Sequence, residues 1–394
     1  LKKKEVYMGS TKRAAIALED GYYEFGYCCG SKGETIGELI FNTSMTGYQE
    51  IFTDPSYAGQ IIIMTYPQIG NYGFNLEDEE SDGPKIDGLV VRELSEYDSN
   101  WRSEGSLRDY LNKHGIVGIQ GVDTRELVRR IRERGAMNAV ISTEDLDPES
   151  LVEKARAFPK MEGRDLVKKV TTKEPYWFSE KGDLTVAVLD GGVKKSILKL
   201  LSNENMRVHV LPADWPAEEI LKGDYDGFFI SNGPGDPAVL TYMIETAKRI
   251  IGKIPTFGIC LGHQIISIAS GLKTEKMKFG HHGANQPVKN LITGRIEIAS
   301  ENHGFAVTRE SLKLKPFTYI PGDAGKLKAE IGKTDFGDVR LTFMNLNDGT
   351  IEGFEFLEVP CFCVQFHPEA SPGPHDTRYL FKNFRKLMEE GRVA

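Results

Sequence analysis

The chain has 394 residues, 40% hydrophobic and 27% charged, which suits a globular protein of two or three domains. A formal net charge of −8 argues against a surface built for nucleic acid or anionic membrane. No apolar run approaches the roughly 18 residues that a transmembrane helix requires. The five cysteines (Cys28, Cys29, Cys260, Cys361, Cys363) are too few and too unevenly placed for a disulfide framework, so a reducing, cytoplasmic setting is expected.

The opening "LKKKEVYMGSTKR" is basic with no apolar core behind it. It is read as a tail or a stretch upstream of the true start, not as a signal peptide. Four strand-like pieces follow: "AAIALEDG", "GELIFNTS", "QIIIMTYP" and "DGLVVREL". "DTRELVRRIRERG" is a helix, with Asp123 as its cap, Glu126 three residues on and Gly135 at its end. These elements predict a separate α+β domain over residues 1–154. Residues 155–183 are polar and irregular and are read as a linker.

From residue 184 the rhythm is regular. "LTVAVLD", "RVHVLP", "DGFFIS" and "IPTFGIC" read as buried strands. Between and after them, "VKKSILKLLSNEN", "PAEEILKG", "AVLTYMIETAKRIIGK" and "LGHQIISIASG" read as helices. This alternation predicts an α/β domain over 184–394, a doubly wound and mostly parallel sheet with helices on both faces. Such sheets place ligands at the carboxyl ends of their strands, where "SNGPGDP" and Cys260 both fall.

"GICLG", residues 258–262, is a G-x-C-x-G between a strand and a helix, the cysteine form of a nucleophile elbow. The turn exposes the thiol at the top of the sheet, above a helix N-terminus that favours an anion. The amide of Leu261 points at the same spot as half of an oxyanion hole, and Gly233 or Gly235 is the candidate for the other half. A thiolate needs a base. His263 lies on the elbow helix and is read as structural. His281 and His282 look like a metal pair, but no carboxylate or third histidine stands near them at ligand spacing, so they are given a structural or substrate-rim role. Cys361 and Cys363 are read as two same-side residues of a buried strand. His367 in "FHPE" ends an apolar strand, and Glu369, two residues on, points the same way and can hold one ring nitrogen. Together they suggest a Cys-His-Glu triad.

"GICLGHQ" and "FHPE" resemble the signature blocks of the class I glutamine amidotransferases. In these a cysteine attacks the amide of glutamine, releases ammonia and leaves a glutamyl thioester that water hydrolyses. Adding "FNTSMTGYQEIFTDPSYAGQIIIMTYPQIGNYG", "SNGPGDP", "MKFGHHGANQPV", "ENHGFAV" and "FHPEASPGPHD", the chain from about 14 to 385 is similar to the small subunits of carbamoyl phosphate synthetases. The resemblance implies Cys260 as nucleophile, His367 as acid/base and Glu369 as its orienter. It implies glutamine contacts at Ser44, Gly233, Gly235, Leu261, Gln264, Asn302, Gly304 and Phe305, with Ser44 closing the site from the other domain.

It also implies a large-subunit partner, in a heterodimer or a higher oligomer, that makes carbamoyl phosphate from bicarbonate and ammonia with ATP and Mg. No phosphate loop is seen here, since "LDGGVKKS" does not fit one, so no cofactor or metal is expected on this chain. Between "NHGFAV" and "FHPE" the chain is longer than is usual for the family, and residues 322–356 are read as an extended hairpin pair. An anthranilate synthase type of amidotransferase subunit would lack the first domain. GMP synthetase or CTP synthase types would carry an ATP-using domain. A scaffold that had lost activity would lack one of the triad residues, and a cysteine peptidase on the same elbow is the remaining reading.

Overall fold

The computed structural model describes residues 12–319 and 328–391. The basic opening, up to Thr11, and residues 320–327, which include the start of the expected hairpin pair, lie outside the described residues. The chain divides into two units: one runs to Thr53 and resumes at Gly59–Met161, and the other holds Asp54–Ala58 and everything from Glu162 on.

In the first unit the four expected strands appear as Arg13–Leu18, Glu34–Asn42, Gln60–Met64 and Gly88–Val91. Three more, Tyr23–Cys28, Val117–Gln120 and Met137–Ser142, complete a closed seven-stranded barrel. Closure leaves no barrel edge to protect, which suits a sheet this apolar. The helix Thr124–Arg134 starts where Asp123 accepts from the Glu126 amide at 3.0 Å, and it stops at Gly135, whose φ is 103°. A further helix, Pro148–Ala157, sets Leu151, Val152 and Ala155 against Ala15, Ala17 and Val140.

In the second unit one twelve-stranded sheet runs through the domain. Its parallel part takes the order Met206–Pro212, Leu184–Asp190, Gly227–Ile230, Thr256–Ile259, Cys361–Val364. Alternation explains how both faces are covered. Val186 and Val188 pack with Ile197, Leu201 and Phe384, while Ala187 and Leu189 pack with Met243, Ile250 and Ile265. Each of these Val, Leu, Ile, Met and Phe side chains, fully buried, contributes ~1.5–3 kcal/mol, and Ala187 less. The other strands join antiparallel, so the sheet as a whole is mixed.

Ile351–Phe356 and Gly337–Asn345 continue the sheet beyond Cys361–Val364, and the long ribbon Thr274–Asn290/Ile296–Val307 comes next. Lys328–Thr334 pairs with Gly337–Asn345, so the described part of the long segment is a run of antiparallel strands. The stretch read as irregular linker also supplies a strand, Tyr176–Ser179, on the opposite edge, antiparallel to Met206–Pro212. Among the described residues no helix is long and apolar enough to cross a membrane.

Candidate active site

Four neighbouring parallel strands end at the same side of the sheet, and the residues just past those ends build the site. Leu184–Asp190 leads to Gly191, Gly192 and Lys194; Gly227–Ile230 to Ser231, Asn232 and Gly233; Thr256–Ile259 to Cys260; Cys361–Val364 to Gln365 and His367.

Cys260 has φ 53° and ψ −102° and caps the helix Leu261–Ala269. A non-glycine residue in this region is strained, and it stays there because the surroundings fix it. Its amide donates to the Val364 carbonyl at 2.9 Å. The two glycines of the motif have a steric reason. A Cβ on Gly262 would stand 2.1 Å from the Ile230 carbonyl oxygen, and one on Gly258 would stand 2.5 Å from Ile266 Cδ1 and 2.8 Å from the Gly262 backbone. Only glycine lets the helix start this close to two strands.

The thiol is 2% exposed, and its Sγ lies 3.6 Å from the Asn302 carbonyl oxygen. The Leu261 and Gly233 amides have no hydrogen-bond partner among the described residues. Gly233 packs on the Leu261 side chain and the Gly191 carbonyl, where any Cβ would clash. Gly235, at φ 90°, instead faces Arg164 and Leu166. Of the two glycines, Gly233 is the one set against the elbow.

His367 is buried, and its amide donates to the Ser300 carbonyl at 2.8 Å. Its Nδ1–H donates to Glu369 Oε1 at 2.7 Å, leaving Nε2 without a partner among the described residues. Burial alone would lower its pKa. The Glu369 charge and the adjacent Cys260 outweigh burial and raise it to about 10. Burial would likewise raise Glu369, but Lys194 and His367 hold it down at about 2.

Lys194 was not singled out in the sequence. It is 2% exposed, and its Nζ donates to Glu369 Oε1 at 2.9 Å and to the Ala370 carbonyl at 2.7 Å. The signal was present in "LDGGVKKS": a lysine at the turn out of a wholly buried strand has little but a carboxylate to face.

The other expected residues take varied positions. Gln264 donates its amide nitrogen to the Phe305 carbonyl at 2.8 Å and to Gln365 Oε1 at 3.0 Å, so only its oxygen is left for a ligand. The Phe305 carbonyl also takes His303 Nδ1–H at 2.9 Å. Asn302 donates to Asp54 Oδ2 at 3.2 Å and faces His282 Nδ1 at 3.0 Å. Gly304 meets only the tip of Lys276. Ser44 belongs to the first unit, buried, with its hydroxyl unpartnered among the described residues and its amide donating to Asn42 Oδ1 at 2.8 Å.

Asp54 and Ser56 were also missed. Asn232 donates to Ser56 Oγ at 2.9 Å and to Asp54 Oδ1 at 3.4 Å, so one carboxylate holds both Asn232 and Asn302. The Asp-Pro-Ser of "FTDPSYAG" is a cap signature, with Asp54 accepting from the Ser56 amide at 2.9 Å. Nothing local tells that these residues belong to the second unit.

His263 is fully buried against Cys363 Sγ at 3.1 Å and Phe354, and burial lowers its pKa to about 3. Cys361 and Cys363 lie buried on one side of their strand, and burial pushes both thiols up. His281 departs from its expected isolation: the fold brings it Glu301, Asp348, Glu352 and His303.

Residues 16–141 match the family model described as carbamoyl-phosphate synthase small chain, CPSase domain, and residues 187–387 match glutamine amidotransferase class-I. The chain is 50% identical to the carbamoyl phosphate synthase small chain of Syntrophotalea carbinolica, over 97% of this chain and 99% of that one. It is 49% identical to the protein of the same name from Thermotoga maritima, over 97% and 100%. The Archaeoglobus fulgidus protein of that name is also 49% identical, over 96% and 100%.

Proposed function

The chain belongs to the carbamoyl phosphate synthase small-chain family, and on that premise we propose that Cys260, His367 and Glu369 carry its glutamine hydrolysis, with Lys194 positioning Glu369. The chain is an enzyme, a glutamine-hydrolysing amidotransferase that supplies ammonia through a cysteinyl thioester to a large synthetase chain. The observation that carries the residue assignment is the strained Cys260 turn beside a histidine locked to a carboxylate through Nδ1.

The chemistry rests on these positions. Cys260 Sγ, its proton already held on His367 Nε2, attacks the side-chain carbonyl carbon of glutamine as the thiolate, forming a C–S bond, and the carbonyl oxygen becomes an oxyanion. The free amides of Leu261 and Gly233 donate to it. His367, raised to about 10, is already protonated at neutral pH and faces the reaction with Nε2. It gives that proton to the departing nitrogen as the C–N bond breaks, so ammonia leaves and a glutamyl thioester remains. The neutral ring then takes a proton from water as the water oxygen attacks the thioester. The C–S bond breaks, glutamate leaves and the thiolate–imidazolium pair of Cys260 and His367 is restored.

Glu369 and Lys194 keep the ring oriented through both steps. Gln264 Oε1, an acceptor, suits the ammonium of the substrate, and the Asn302–Phe305 strand lines the same place. The ammonia passes to a large ATP-using chain, in a heterodimer or an assembly of heterodimers.

An electrophilic glutamine analogue tests the assignment. Peptide mapping should find the label on Cys260 and on none of Cys28, Cys29, Cys361 or Cys363. Label on another cysteine with Cys260 unmodified would reject it.

A further inference from the structure

His281, Glu301, His303 and Glu352 are four buried side chains whose donor atoms all lie within 4.8 Å of one another. They come from three strands. His281 and His303 are directly opposed across the ribbon, Glu301 precedes His303 by two residues on the same face, and Glu352 belongs to Ile351–Phe356. His281 Nδ1 lies 2.8 Å from Glu301 Oε2, and His303 Nε2 lies 3.4 Å from the same oxygen.

Glu352 is the unexplained member. It is 0% exposed, and neither carboxylate oxygen has a hydrogen-bond partner among the described residues. Its nearest cationic atom, His281 Nδ1, is 3.7 Å away, beyond hydrogen-bond reach. A carboxylate in such a place needs a positive charge.

We propose that these four side chains form a structural site for a divalent transition-metal ion, zinc by preference. Two imidazoles and two carboxylates match zinc's donor set, and their two negative charges balance the ion. The imidazoles argue against calcium or magnesium, which prefer an all-oxygen shell.

The atoms that would not touch the metal are held as metal ligands usually are. His281 donates Nε2–H to Asp348 Oδ2 at 2.8 Å. His303 donates Nδ1–H to the Phe305 carbonyl at 2.9 Å, which leaves Nε2 as a lone-pair donor. Asn345 Nδ2 donates to Glu301 Oε1 at 3.1 Å. Four protein ligands leave no open position, so the ion would hold structure and take no part in the reaction. It would pin the ribbon Thr274–Asn290/Ile296–Val307 to Ile351–Phe356. Asn302 stands between Glu301 and His303, so the ion would fix the backbone of the strand that lines the glutamine site. The rival occupant is a proton, carried by His281 between Glu301 and a neutral Glu352.

Elemental analysis of the full chain, loaded with zinc and dialysed, separates the two. The proposal expects about one zinc per chain. It expects a strong chelator to remove the zinc with a fall in Tm, and zinc to restore the Tm. Cobalt should substitute and give the visible absorption of a four-coordinate site. Glu352→Gln should bind zinc at least about tenfold more weakly while keeping the native circular dichroism. If that variant does not fold, the stoichiometry and cobalt spectrum of the unaltered chain decide alone. No zinc retained, no cobalt band and a Tm indifferent to chelator would assign the cluster to a shared proton and overturn the proposal.

Discussion

His367, Glu369 and Lys194 form a line of three charged groups in a buried site, and their order sets the pH behaviour. Glu369 helps raise His367 to about 10, so the loss of kcat/KM at high pH should sit near that value, not near an ordinary histidine's 6.5. Replacing Glu369 with Gln removes the charge that favours the imidazolium, so this alkaline limb should move down. A pH–rate series on both proteins checks it, and a limb that stays in place would contradict the role of Glu369. The same variant should be milder than His367→Ala, which removes the proton carrier and should cost ~10²–10⁴-fold in kcat.

Stability follows the opposite sign for the acid. Glu369 is held at about 2 against a usual 4.5, so its contribution is complete above 4.5 and is lost as the pH falls toward 2. Lys194→Met removes one of the two cationic partners of Glu369 and leaves the His367 imidazolium to hold it. The expected loss is ~1.5–3 kcal/mol by denaturant titration at neutral pH, with the deficit shrinking as Glu369 becomes protonated in acid. A variant as stable as the parent would show that the pair is not what holds Glu369.

At the scale of the element, the elbow works because two strands and a helix approach closer than any side chain permits. Gly262→Ala should force the helix off Ile230 at a cost of ~1–3 kcal/mol or more and reduce kcat with it. Gly304→Ala should keep the parent Tm, because its Cβ would meet only the flexible Lys276 amine at 3.0 Å, and its effect should appear in KM for glutamine. Thermal scans with steady-state kinetics on both variants test the contrast, and a destabilised Gly304→Ala with normal KM would refute it.

These elements also mark what could be read from sequence. The strand–helix alternation, the elbow and the His-Pro-Glu turn are local patterns and were legible from residues alone. Tyr23–Cys28, Val117–Gln120 and Met137–Ser142 were not, because barrel strands are short and their partners lie far along the chain. Lys194, Asp54 and the carboxylates around His281 were hidden for the same reason: each acquires its partner only when distant strands pair.

For the whole molecule, family membership sets the chain in a carbamoyl phosphate synthase type of complex, and glutamine hydrolysis without a consumer of ammonia would be wasteful. The isolated chain should therefore be a slow glutaminase, and adding the large chain should raise its turnover ~5–150-fold, the usual range of coupling between sites. Full turnover by the small chain alone, unchanged by the partner, would rule that coupling out.

Within that complex the nucleophile proposed here, Cys260, would release the ammonia and have no part in its later use. The most direct test is Cys260→Ser in the reconstituted complex, assayed for carbamoyl phosphate with glutamine and, separately, with ammonium salt. A serine hydroxyl does not ionise near neutral pH as a thiol can, so glutamine-dependent synthesis should fall to background. Ammonia from solution bypasses the thioester, so ammonia-dependent synthesis should match the unaltered complex. Glutamine-dependent synthesis at the native rate, or loss of both activities in a correctly assembled complex, would contradict the role given to Cys260.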